Sequence, residues 1–383
     1  MRILIIHTRY RQKGGEDTAV SLQYGLIKKD LVCEKLIYHN DRSILSSIQF
    51  IFSIWNISAS TRLKKVIKAF NPDLVHLHNW HFASGPIMIR TLKKMHIPIV
   101  VTLHNYRLVC PSGILFNKDE IFCESVKSSF PWIAIYNKAY RNSYSQTFWL
   151  AFINWFHRKI GTWKMVDQYI VLTQFAKNVF LSSTLGLSAD KFTLNPNFIF
   201  PIKATKGERN GAIFVGRLTT EKGLEIVLQG FLLIDITLDI YGEGPLSGLV
   251  QEYCMKRKNI SYLGVLDNKQ VLKKMSAASV LIFPSLWYEG MPMTIIEAFS
   301  AGTPVIANNL GAMSTMITHG YNGLHYDGTV DGLAAALKNW NELTDRERNR
   351  FSENALKTYH NNYTPERNYE ILIEIYKNAI ESK

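Results

Sequence analysis

The sequence predicts two α/β domains in tandem, each a parallel β-sheet with helices on both faces. Three observations predict this. Short apolar runs alternate with helical patterns through both halves of the chain. The length of 383 residues suits two or three domains. The composition, 47% hydrophobic and 20% charged, is that of globular cores and not of disorder.

Taken in order, residues 2–8 are an apolar run that reads as a buried strand. A loop over 9–15 follows, then a helical pattern over 17–29. Further strands are expected at 74–78, 98–103 and 168–172. Residues 130–163 carry eleven aromatic side chains among Lys138, Arg141, His157, Arg158 and Lys159, and read as long helices inserted before the strand at 168. The second half repeats the logic without repeating the sequence. Its strands are expected at 212–215, 237–241, 261–263, 280–284 and 304–307, with helices over 222–231 and 269–278. Gly242, Gly244-Pro245 and Gly302 punctuate them. Asn195-Pro196-Asn197 and the polar stretch 203–210 mark a hinge, and 365–380 reads as an amphipathic helix. The expected domains are therefore 1–198 and 199–362, with 363–383 as a terminal helix.

Lys and Arg exceed Asp and Glu by 44 to 31, a formal charge of +13. That excess suits phosphorylated ligands, an anionic membrane surface or nucleic acid. No basic run is long enough to read as a nucleic-acid tail, so nucleic acid is not an expected partner. Four scattered cysteines indicate a reduced, cytoplasmic protein. The apolar start is too short for a signal peptide, and no stretch reaches the length of a spanning helix.

The sharpest motif is Pro284-Ser285-Leu286-Trp287-Tyr288-Glu289-Gly290-Met291-Pro292-Met293-Thr294-Ile295-Ile296-Glu297. A strand ends at Pro284, and Pro292 suits a first helical turn. The N–H groups of Met291, Met293 and Thr294 are then expected at a helix N-terminus, a ready phosphate site. Glu289 and Glu297 supply carboxylates that accept paired hydrogen bonds from sugar hydroxyls. A second motif, Gly216-Arg217-Leu218 with Lys222-Gly223, puts two cations at a strand's carboxyl end, where open α/β sheets bind ligands. Gly14-Gly15 is weaker: it is either a tight turn or a place where backbone approaches a ligand. His104 closes another strand and is expected to contact a ligand, whereas His76 and His78 are expected to make structural hydrogen bonds. Cys110 and Cys123 form a weak metal signal, and no Asp-x-Asp occurs. No metal or other cofactor is expected, with Arg217 and Lys222 supplying the charge instead.

Together these residues resemble glycosyltransferase family 4, the retaining family of the GT-B fold. The resemblance covers essentially the whole chain. It rests on Glu289 and Glu297 with seven residues between them, on Gly216-Arg217-Leu218 with Lys222-Gly223, on Tyr241-Gly242-Glu243-Gly244-Pro245, and on Gly14-Gly15. The stretch from Thr102 to Pro111 looks like members that work in bacterial surface-polysaccharide synthesis. The resemblance implies two Rossmann-like domains facing across a cleft, with the C-terminal helix crossing back to the first. It implies that Arg217 and Lys222 hold a donor diphosphate, that Glu297 takes the ribose hydroxyls, and that Glu289 contacts the donor sugar beside Gly290, Met291, Pro292, Met293 and Thr294. Gly14, Gly15 and Gly216 would line the donor site, and His104 would lie near the reacting sugar. The implied partners are a nucleotide-sugar donor, a UDP-sugar first, and a glycan or lipid-linked acceptor. A nucleotide-sugar epimerase on the same fold is the alternative. The basic, aromatic segments 48–70 and 130–163 either build the core and acceptor cleft or meet an anionic membrane, which would make the protein peripheral on its inner face.

Overall fold

The computed structural model describes residues 1–9, 14–40, 45–117, 120–121, 123–202 and 207–382. Arg11, Gln12 and Lys13 of the expected glycine loop, and residues 203–206 of the expected hinge, lie outside these. The chain divides into two units. One holds most of the chain up to Asn197 together with the C-terminal helix, and the other holds Phe198–Thr364.

The first unit contains β1 (Arg2–Arg9), β2 (Val32–His39), β3 (Leu74–Asn79), β4 (Ile99–Leu103), β5 (Phe116–Asn117), β7 (Gln168–Val171) and β8 (Phe192–Leu194), while the two-residue strand β6 (Glu120–Ile121) is grouped with the second unit. Six of these form one parallel sheet in the order β2-β1-β3-β4-β7-β8. Residues of β1 from Ile3 to Thr8 are all buried, as a central strand covered on both faces requires. By contrast, β2 lies at the edge and leaves Glu34 and Lys35 exposed, so its sequence lacks the apolar run by which β1 is recognised. The C-terminal helix Pro365–Glu381 packs on β3, β4 and the first helix, Gly15–Ile27. Its Leu372, Ile375, Tyr376 and Ala379, spaced along one helical face, join Ile3, Ile5, Leu74 and Val100 in one core. The aromatic insertion is one short helix, Trp132–Tyr136, and one long one, Tyr144–Lys159.

The second unit contains β9 (Ala212–Val215), β10 (Leu238–Tyr241), β11 (Ile260–Tyr262), β12 (Val280–Phe283), β13 (Val305–Asn308) and β14 (Gly323–Tyr326). They form a parallel sheet in the order β11-β10-β9-β12-β13-β14. The helix expected from 222 instead runs Leu224–Leu232, after a 3₁₀ turn Thr220–Lys222. Gly223 sets that boundary. Its φ is +70°, and a Cβ there would stand 2.2 Å from the Pro284 carbonyl oxygen.

Each strand order reverses once, between β1 and β3 in the first sheet and between β9 and β12 in the second. At such a switch point the connections leave in opposite directions and open a crevice at the strands' carboxyl ends. Both expected ligand regions lie at these crevices.

Candidate functional site

In the second unit, the loops after β9 and β12 meet. Two glycines shape the first loop by close packing. A Cβ at Gly242 (φ +142°) would lie 1.8 Å from the Gly216 oxygen, and one at Gly244 would lie 2.4 Å from the Leu218 oxygen. The two segments are joined by Gly216 N–H to Tyr241 O (3.1 Å) and Leu218 N–H to Glu243 O (2.9 Å). The Tyr241–Pro245 motif therefore buttresses the loop that carries Arg217. Arg217 itself is largely exposed, with Glu221 3.5 Å away. An exposed pair of this kind contributes little to stability and leaves the guanidinium available.

Lys222 is held firmly. Its Nζ donates to Glu289 Oε1 at 2.6 Å, and the ammonium lies 5.2 Å from the Trp287 ring centroid. Glu289 also accepts from Ser285 Oγ at 2.7 Å. Burial alone raises the Glu289 pKa, but Lys222 and these hydrogen bonds outweigh it. The net shift is downward, and the carboxyl stays ionised. Glu297 is the opposite case. Its carboxyl has no hydrogen-bond or ionic partner among the described residues, and burial pushes its pKa up to about 7. Glu297 stands on the helix Met293–Ser300, of which Pro292 is the N-cap. Pro292 thus precedes the first turn and does not lie within it, because its ψ of 113° is extended. The N–H groups opening the helix belong to Met293 and Thr294, while Gly290 and Met291 lie in the loop before it.

In the first unit, Asp17 ties the glycine loop to β1. Its Oδ1 is 2.9 Å from His7 Nε2, and its Oδ2 accepts the Gly14 N–H at 3.1 Å. Burial raises the Asp17 pKa, yet the His7 and Gly14 bonds carry it below the usual value. Gly14 has φ −126°, and a Cβ there would meet nothing within 4 Å. Neither backbone strain nor packing within the unit demands a glycine at this position. Gly15 opens the first helix. His104, at the end of β4, bonds through Nε2 to His78 Nδ1 at 3.0 Å, and both rings line a pocket with Trp80, Asn105 and Arg107. His76 is clamped between Tyr376 Oη and Thr102 Oγ1, both at 2.7 Å. Burial drives His76 and His104 down to about 3 and keeps both neutral.

The site residues named from the sequence thus gather at two sheet edges: Gly14, Gly15 and His104 in the first unit, and Gly216, Arg217, Lys222, Glu289 to Thr294 and Glu297 in the second. Four further polar or aromatic contributors emerge only from the coordinates: Ser285, Trp287, His7 and Asp17. Ser285 and Trp287 sat inside the motif without marking themselves. Asp17 was signalled only as an acid in a first helical turn.

Residues 196–358 match the family described as Glycosyl transferases group 1, and residues 38–201 match Glycosyltransferase Family 4. An uncharacterized glycosyltransferase of Methanocaldococcus jannaschii is 24% identical over 265 residues, 68% of this chain and 63% of that protein. An uncharacterized 42.6 kDa protein of the cps region of Klebsiella pneumoniae is 22% identical over 326 residues, 82% of this chain and 77% of that protein. The crystal structure of Anabaena HepE in complex with UDP superposes with a TM-score of 0.66 at 14% identity, covering 98% of this chain and 99% of that one. The chain spans under two-thirds of the length of the first relatives it matches, at 63%, 45% and 64%. The two parallel sheets and the returning C-terminal helix are those of the GT-B fold.

Proposed function

The chain belongs to the group 1 and family 4 glycosyltransferases, and from that premise we propose that it moves a sugar from a UDP-sugar onto a glycan or lipid-linked acceptor, with retention and without a metal ion. One observation carries the donor reading. Glu297 is a half-buried carboxyl with no partner among the described residues, on the helix that follows the loop whose Glu289 holds the Lys222 ammonium. A buried acceptor left unmatched loses hydrogen bonds that a vicinal diol would supply. Ribose hydroxyls fit that need.

In this reading, the C1–O bond to the β-phosphate breaks and its electron pair leaves with the nucleoside diphosphate. Arg217, Lys222 and the N–H groups of Met293 and Thr294 stabilise the negative charge that develops. The acceptor oxygen bonds to C1 from the same face and gives its proton to the departing phosphate oxygen. Glu289 steadies Lys222 and lies beside the sugar. His104 acts as a hydrogen-bond donor. Among the described residues His78 Nε2 is buried without a partner, and an orphan lone pair costs less than an orphan N–H. His78 therefore donates from Nδ1 to His104 Nε2, which leaves the His104 proton on Nδ1. The match to a capsule-region protein and the Thr102–Pro111 segment support a surface-polysaccharide acceptor at the cytoplasmic face.

The test is a thermal-shift screen against UDP, GDP, ADP, CMP and dTDP with and without magnesium. UDP is expected to raise the melting temperature without magnesium, and Glu297→Ala to erase the effect. No shift with any nucleotide would sink the donor reading. Conversion of a UDP-sugar to its epimer with no acceptor present would replace transfer by epimerisation.

A further inference from the structure

Two stretches of the first unit contain no acidic residue at all: 42–72 and 125–166. All thirty-one Asp and Glu lie elsewhere, while these stretches hold five and six Lys or Arg. Among the described residues, they also carry ten of the eighteen exposed large hydrophobic side chains: Ile48, Ile51, Phe52, Trp55 and Ile57 in one, and Trp132, Ile133, Tyr136, Tyr144 and Phe148 in the other. Phe52, Trp132 and Tyr136 are 62%, 65% and 75% exposed. Such side chains in isolation are ordinary, but their concentration in the two acid-free stretches is not.

The fold joins the stretches. Trp149 Nε1 donates to Phe50 O at 2.8 Å, His157 Nε2 donates to Ile54 O at 2.8 Å, and Trp55 packs edge-on against Phe156. An apolar groove lined by Ile48, Phe52, Trp55 and Ile57 opens on this side. Arg62 stands at its lip, with its guanidinium 4.9 Å from the Tyr38 ring centroid. On the same helix, Ile57–Phe70, the side chains of Lys64, Lys65 and Lys68 are exposed while Leu63, Ile67 and Phe70 are buried.

We propose that this aromatic and basic face of the first unit docks on an anionic lipid bilayer. The chemistry selects that occupant. Trp and Tyr settle at the headgroup level, Ile and Phe enter the acyl boundary, and Lys and Arg pair with lipid phosphates. A second copy of the chain would set a face of uncompensated cations against its own like. No helix among the described residues is long and apolar enough to cross a membrane, so the contact is a docking and not a span. The surface belongs to the first unit and the Arg217–Glu297 motifs to the second, and neither reading depends on the other.

The experiment is flotation of the full chain with vesicles of phosphatidylcholine mixed with an equal part of phosphatidylglycerol. Binding is expected, falling sharply on phosphatidylcholine alone and with added salt. Lys64→Gln, Lys65→Gln and Lys68→Gln are each expected to lower partitioning by roughly fivefold. Phe52→Ser and Trp132→Ser are expected to weaken it, while Met255→Ser, an exposed apolar control in the second unit, leaves it unchanged. A cooperative melting transition near the native temperature, kept in every variant, shows that the fold is intact. Absence of binding to the anionic vesicles would overturn the proposal. So would a dimer in solution that Trp132→Ser disperses, since the face would then serve self-association.

Discussion

At the scale of single residues, two carboxyls at one site carry opposite electrostatics. Glu289 is ionised and paired, so removing Lys222 strands a buried charge. Lys222→Ala is expected to lower kcat by about 10²–10³-fold and to cost about 3 kcal/mol of stability. Adding Glu289→Gln should recover most of the stability in denaturant titrations and none of the activity. Glu297 is raised to about 7 from 4.5. Its folded pKa lies above its unfolded one, so the protonated form is favoured in the fold and stability is lost as pH rises through 7. Glu297→Gln should therefore stabilise the ligand-free protein at pH 8, on the order of 2–3 kcal/mol, and leave it nearly unchanged at pH 4. UDP binds best to the ionised carboxyl in this account. Calorimetry should show affinity rising with pH up to about 7 in the native protein and a flat profile in the variant.

At the scale of elements, loops are fixed by the absence of side chains. Gly242→Ala would place a methyl group against the Gly216 carbonyl and push the Arg217 loop away from the crevice. The expected outcome is weaker UDP binding together with a lower melting temperature, measured in the same thermal-shift assay. An equal loss of stability with unchanged UDP affinity would separate the buttress from the site. The elements also explain what could be read beforehand. Fully buried strands such as β1 and β12 announce themselves as apolar runs. The edge strand β2, with Glu34 and Lys35 outward, does not. Arg217, Lys222, Glu289 and Glu297 were legible because strand end, glycine and charge fell close together in the chain. The His7–Asp17 and His78–His104 contacts were not. They join residues brought together by sheet pairing, and the strand order that pairs them has no local signature.

At the scale of the molecule, the two units answer pH differently. His76 and His104 are held neutral at about 3, well below the unfolded 6.5. The unfolded chain binds their protons first, so the first unit loses stability as pH falls below 6.5. At pH 5 that loss is on the order of 2 kcal/mol for each ring. The second unit is relieved by the same acidification through Glu297. Calorimetry from pH 7.5 to 5 should therefore show the first unit's transition falling while the second holds or rises. A single transition that moves as one would refute this division. The units also differ in how the chain supplies them. The second is drawn almost wholly from one continuous stretch, whereas the first is closed by the helix Pro365–Glu381, whose Tyr376 reaches His76 on β3. A ribosome delivers the N-terminal strands first, so the face of the sheet bearing Ile3, Leu74 and Val100 stays uncovered while the whole second unit is made. The part synthesised earliest finishes last and is the part exposed to chaperones and proteases in the interval. A stop codon just before Pro365 would for the same reason strike the nascent protein's beginning and spare its middle.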